Sequence, residues 1–189
     1  MKSSIESTHL GGDVVVLRPH VHEDARGWFM EAFRADHFRE LGLPERFEQD
    51  NHSRSSARVV RGLHFQWDPP MGKLMRVSAG RAFVVAVDIR KGSPTLGRWH
   101  GCEISAVDKR QVWAPAGFAR GFCALSDGVE VQYKCTATYH APCEAGILWN
   151  DPDVGIAWPV DRPLLSERDA RAQTLAEWLA RPESDRFRY

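Results

Sequence analysis

The chain has only four cysteines, at positions 102, 123, 135 and 143, and none forms a C-x-x-C pair. That argues against a zinc ribbon and makes a reduced, cytoplasmic protein the simplest account. It has no charge excess: 25 Lys plus Arg balance 25 Asp plus Glu. A broad nucleic-acid surface is therefore not expected, although a local basic pocket for a small anion is compatible. No apolar run approaches membrane-spanning length, and Met1–Asp13 lacks a signal-peptide core, so no membrane partner is expected. The eight histidines do not make the metal-cupin pattern of a His-x-His pair with a nearby Glu and a later His; where the pair would be needed the chain reads His64-Phe65-Gln66, so no metal is expected. Internal repeats, low-complexity segments and linkers are missing too.

What is present is 189 residues, 43% hydrophobic, enough for a sizeable core in a single domain over 1–189. Short strands between Gly/Pro turns dominate. They are expected at 13–17, 28–33, 47–53, 59–66, 99–104, 111–114, 121–125 and 129–136, with short ones at 148–150 and 156–158. Segments 74–78 and 81–89 read as a hairpin through Gly80. Phe83-Val84-Val85-Ala86-Val87 is apolar throughout, as in a strand buried on both faces. Helix is expected at 34–41, stopped by Gly42 and Pro44, and at 166–179, capped by Ser166. The core spans about 14–175, and the charged tail 181–189 is expected to be mobile. This pattern indicates a sandwich, barrel or jelly roll.

Strand phase singles out a polar face. Gln49, Asn51 and Ser53 share one side of their strand, and Gly62, His64 and Gln66 share one side of theirs. Such faces either lie in water or line a polar pocket; in a pocket His64 would be the natural base. Asp169 could fix the tautomer of His64, but it also suits the first turn of a helix, where negative charge is favoured. Lys73 could stabilise an enolate or simply be solvated. Tyr133 and Tyr139 could donate a proton or stack on a base. Arg26, Arg61, Arg120 and Arg168, beside turns or at a helix start, could bind phosphate.

Taken in order, the segments Asp24-Ala-Arg-Gly-Trp-Phe, Gln49-Asp-Asn-His-Ser, Arg61-Gly-Leu-His-Phe-Gln, Val87-Asp-Ile-Arg-Lys-Gly-Ser-Pro-Thr-Leu-Gly, Pro115-Ala-Gly-Phe-Ala-Arg-Gly-Phe, Trp149-Asn-Asp-Pro and Ser166-Glu-Arg-Asp resemble the dTDP-4-dehydrorhamnose 3,5-epimerase family. The match runs from about Val14 to about Leu175. The resemblance implies a cupin-type jelly roll with a C-terminal helix, a homodimer exchanging an N-terminal strand, and no metal or organic cofactor. It implies epimerisation beside the C4 ketone of a nucleotide-diphosphate-linked 4-keto-6-deoxy sugar. It puts the base on His64, its partner on Asp169, the enolate stabiliser on Lys73 and the proton donor on Tyr133. Arg26, Glu31, Gln49, Asn51 and Arg61 match residues that hold nucleotide and diphosphate, and Tyr139 matches the base-stacking ring. Glu144 and Arg168 match further binding positions, the latter usually lysine. Three departures stand out. Arg120 replaces a histidine and is expected to contact the ligand, Val85 stands where aspartate is common, and Met71 replaces a frequent glutamine. A mono-epimerase, a 3,4-ketoisomerase or a non-catalytic binder on the same scaffold are the alternatives.

Overall fold

Two antiparallel sheets face one another in the computed structural model, which describes residues 2–189. The first, six-stranded, has the order β1 (Ser4–His9), β2 (Val14–Arg18), β10 (Gln111–Ala114), β7 (Lys73–Ala79), β12 (Val129–Cys135), β5 (Gln49–Ser55). The second, five-stranded, has the order β13 (Glu144–Gly146), β6 (Val60–Gln66), β11 (Phe118–Ala124), β8 (Arg81–Asp88), β9 (Trp99–Ser105). A separate hairpin, β3 (Val21–Asp24) with β4 (Gly27–Met30), stands apart from both. This is the mainly β architecture that the strand pattern calls for, and the cupin-type jelly roll that the family resemblance implies.

Alternation along the strands builds three apolar layers. Val14 and Val16, Met75 and Val77, Val129 and Val131 face Ala82, Val84, Phe118 and Phe122 between the sheets. Val15, Leu17, Leu74 and Trp113 point the other way, where Phe38 of α1 (Ala35–Glu40) and Leu43 cover them. Leu63, Phe65, Val85 and Val87 point away from the second sheet and are covered by Leu175, Trp178 and Phe187. Strands β2 and β8 thus bury both faces, which is why they read as unbroken apolar runs.

Four local expectations change. Strands β7 and β8 are not a hairpin: β7 pairs with β10 and β12, β8 with β11 and β9. Gly80, at φ +72, turns the chain from one sheet to the other, where a Cβ would meet Ser126 Oγ at 2.5 Å. The single C-terminal helix is two, α2 (Glu167–Ala170) and α3 (Leu175–Ala180). Ser166 caps the first, and Thr174 starts the second with a reciprocal Thr174–Glu177 capping box. Between them Gln173 leaves the helix to accept from Leu148 N–H. Residues 148–150 and 156–158 are loop, organised by buried Asp151, which accepts from the amides of Asp153, Val154 and Leu175. The tail is seated on the core, not loose: Phe187 packs on Phe65 and Trp178, and its carbonyl accepts from Lys91 N–H.

One irregularity positions the site. Strand β11 pairs Arg120 with His64 and Phe122 with Arg61, so one residue of β11 opposes two of β6. This β-bulge sits where Gly62 and Gly121 let the two backbones touch. A Cβ on Gly62, at φ +130, would lie 2.6 Å from Gly121 Cα and 2.9 Å from Arg120 O. Backbone cannot yield as a side chain can. Gly62→Ala is expected to destabilise by about 3 kcal/mol or more and to lower the thermal midpoint by about 6–12 °C. A calorimetric shift below about 2 °C would contradict the close approach.

Candidate functional site

The bulge puts Arg61 and His64, three residues apart, on the same side of β6, where a regular strand would separate them. Both line a cavity of about 260 Å³ between the sheets. Lys73 and Met75 of β7, Ser53 of β5, Tyr133 of β12, and Arg120 and Phe122 of β11 complete the walls, with Tyr139, Glu144 and Arg168 at one side. The residues of β5, β7, β11 and β12 enter by period-two alternation from strands whose neighbours pack the core.

His64 is held from outside the sheet. Its Nε2 lies 2.6 Å from Asp169 Oδ1, across 105 residues of sequence. A carboxylate accepts, so Nε2–H donates and Nδ1 is left with its lone pair. Ser166 caps α2 by accepting from Asp169 N–H, which fixes where the carboxylate stands. Burial works against ionised Asp169, but the hydrogen bond and charge of His64, with Ser166 and the Gly62 amide, outweigh it and hold the carboxyl below its usual range.

Lys73 has its Nζ 5.2 Å from the centre of the Tyr133 ring. Burial, with the Arg120 charge adding to it, pulls the Lys73 amine down to about 8. Burial first, then the nearby Cys135, pushes the Tyr133 phenol up, so it keeps its proton at neutral pH. Glu144, the one carboxylate in the cavity lining, lies 2.6 Å from Arg168 Nη2 and accepts from Tyr139 Oη at 3.0 Å. The lining is therefore cationic in balance.

Gln49 and Asn51 sit beside this wall. Gln49 donates to Asn51 Oδ1 and accepts from Tyr139 N–H, and Asn51 Nδ2 contacts Cys135 Sγ at 3.7 Å. Gln66 shares the His64 face but is spent on the chain itself: it donates to the Pro69 and Thr138 carbonyls and accepts from His140 N–H. Two expected site residues lie elsewhere. Arg26, in the β3–β4 turn, is 89% exposed and paired only with Asp24. Glu31 lines another groove with Phe33, Arg76 and Gln132. Val85 packs under Leu175 and Trp178, off the cavity; its neighbour Val84 is the one on the Phe122 side. Met71 is buried and offers only its carbonyl, to Arg120. Met75 and Phe122 were not anticipated as cavity walls, though each lies two residues from a named one and so on its face. Among the described residues no group of three or more His, Cys, Asp or Glu is arranged to hold a metal ion.

The Lys73 environment gives a direct expectation. Its amine should become reactive to acylation with a midpoint near pH 8, whereas exposed lysines follow their ordinary value near 10.5. Competitive labelling with mass spectrometry reads this, and a Lys73 midpoint above about 10 would contradict the desolvated site.

Comparison with known proteins identifies the family. Residues 8–177 match the family described as dTDP-4-dehydrorhamnose 3,5-epimerase. A Shigella flexneri protein of that name is 50% identical over 167 residues, covering 87% of this chain and 92% of its own. A Neisseria gonorrhoeae protein of the same name is 50% identical over 166 residues, and there the match spans only about half (51%) of the relative's length. The crystal structure of a Legionella pneumophila dTDP-6-deoxy-D-glucose-3,5-epimerase, in complex with dTDP-4-keto-L-rhamnose, superposes with a TM-score of 0.93. That superposition has 44% identity and covers 99% of this chain and 98% of the other. With the pattern matched over most of its length and half of the aligned residues shared with such relatives, the chain belongs to the dTDP-4-dehydrorhamnose 3,5-epimerase family.

Proposed function

We propose that the chain epimerises a dTDP-linked 4-keto-6-deoxy sugar, converting dTDP-4-dehydro-6-deoxy-D-glucose to dTDP-4-dehydro-L-rhamnose. The observation that carries this is the His64–Asp169 pair on the wall of a cavity that Lys73 and Tyr133 also line. The C4 ketone acidifies the C–H bonds at C3 and C5. His64 Nδ1 takes one of these protons, and the electron pair moves onto the C4 oxygen as an enolate. The Lys73 ammonium stabilises that oxygen. Tyr133 returns a proton to carbon from the other face, inverting the centre. Asp169 stabilises the imidazolium formed in the first half. Only protons move, so the reaction so written requires no redox group or metal.

The remaining cations suit the ligand's other end. Arg61 and Arg168 are exposed toward the mouth and suit a diphosphate, which is charged throughout the reaction. Tyr139, 53% exposed, offers a ring face to the base, and Gln49, Asn51 and Glu144 offer polar contacts beside it. Arg26 and Glu31 serve the nucleotide from a second subunit of a homodimer. Supporting this, the β3–β4 hairpin pairs with no other strand and carries Trp28 and Phe29 at 57% and 69% exposure. A cytoplasmic setting fits the four free thiols.

Two measurements test this reading. With dTDP-4-dehydro-6-deoxyglucose in deuterated water, NMR should show deuterium at both C3 and C5 and a rhamno-configured product. Label at one carbon alone would make the protein a mono-epimerase, and binding without label would make it a non-catalytic binder. Tyr133→Phe should retain exchange but form inverted product about 100-fold more slowly. Sedimentation equilibrium should return a particle of two chains; one of 21.4 kDa would contradict the dimer.

A further inference from the structure

We propose that Arg120 is a second cationic donor to the sugar's C4 oxygen, so that the enolate is shared between a guanidinium and the Lys73 ammonium. The inference rests on the epimerase reading and adds a residue to it.

Arg120 lines the cavity with His64, Lys73 and Tyr133 and is 3% exposed. Its Nη1 donates to the carbonyls of Ala114 and Pro115, both at 3.1 Å, and its Nη2 to the Met71 carbonyl at 2.8 Å. A guanidinium has five N–H donors, so three bonds leave two unfilled. One of these is Nε, which is buried without a partner. Among the described residues no carboxylate pairs with it. The carboxylates nearest the reacting groups are engaged elsewhere, Glu144 by Arg168 and Asp169 by His64. Three neutral carbonyls fix the rotamer and partly solvate the charge, but they do not neutralise it. A buried cation with open donors and no counter-ion is completed by an anion.

Which anion follows from depth. Arg61 and Arg168 stand at the exposed side, with the Arg168 side chain 54% accessible, and suit the permanent charge of a diphosphate. Arg120 is buried and Lys73 half-buried, beside the base, where charge exists only while the enolate does. A donor locked before the charge appears favours the intermediate over the ketone. Burial leaves Arg120 at about 10 and Lys73 at about 8. Between those values the guanidinium remains cationic while the amine loses its proton.

The test measures deuterium uptake at C3 and C5 per bound substrate in wild type, Arg120→Met and Arg120→Lys, with dTDP affinity measured separately. Arg120→Met should exchange about 100-fold more slowly at pH 7, and the deficit should widen above pH 8. Its dTDP affinity should stay within about twofold, and Arg120→Lys should recover most of the exchange. Should Arg120→Met fail to fold, Arg120→Gln keeps an amide donor for the carbonyls without the charge. Exchange within about twofold of wild type in a folded uncharged variant would overturn the proposal. So would a loss of dTDP affinity that accounts for the slower exchange, because that assigns Arg120 to the diphosphate. Equal deficits in the Met and Lys variants with a lowered thermal midpoint would reduce it to a structural strut. Wild type that exchanges neither carbon would instead overturn the epimerase reading, and this inference with it.

Discussion

The hydrogen bond from His64 Nε2 to Asp169 is the contact on which the site depends. One partner sits on an inner strand and the other on a four-residue helix outside the sheet, 105 residues later. For them to meet, the C-terminal segment must lie against the second sheet, which Leu175, Trp178 and Phe187 achieve by covering Leu63, Phe65 and Val85. The apolar layer is thus what delivers a carboxylate to an imidazole. The bulge at Gly62 does the rest, turning Arg61 and His64 into the same cavity.

Electrostatics gives the cavity its direction. It holds more cations than anions, and its one lining carboxylate is already engaged by Arg168. Such a pocket costs stability when empty and recovers it when negative charge enters. Two groups set how folding responds to pH. The Asp169 carboxyl is held low, so it contributes stability above its unfolded value that is lost as pH falls through its folded value. Lys73 is held low as a base, at about 8 against 10.5, so the unfolded chain binds more protons in that window and stability rises with pH across it. Both effects make the site least comfortable in acid.

Much of this was legible in the residues. Period-two phase put Asn51, Ser53 and His64 on a polar face, and unbroken apolar runs marked strands buried twice over. What phase could not supply was anything that breaks phase. The bulge that aligns Arg61 with His64 requires knowing that Gly62 meets Gly121 across the sheet. Gly80 reads as a hairpin turn because a corner between sheets uses the same positive φ. The helix over 166–179 divides because Gln173 finds a strand-like partner in Ile147, a long-range contact that helical spacing does not encode. Val85 was singled out by the family pattern alone, and phase puts it in the layer under Leu175 and Trp178. The charged tail read as loose because its anchor, Phe187, is one aromatic among polar neighbours.

The measurement that tests the account most directly is deuterium exchange in Asp169→Asn, with dTDP binding followed in parallel. If Asp169 holds His64 in the tautomer that frees Nδ1 and stabilises its protonated form, binding should be unchanged and exchange at both carbons should fall about 1000-fold or more. Exchange near the wild-type rate, with the His64–Asp169 geometry disrupted, would show that the base is not this pair.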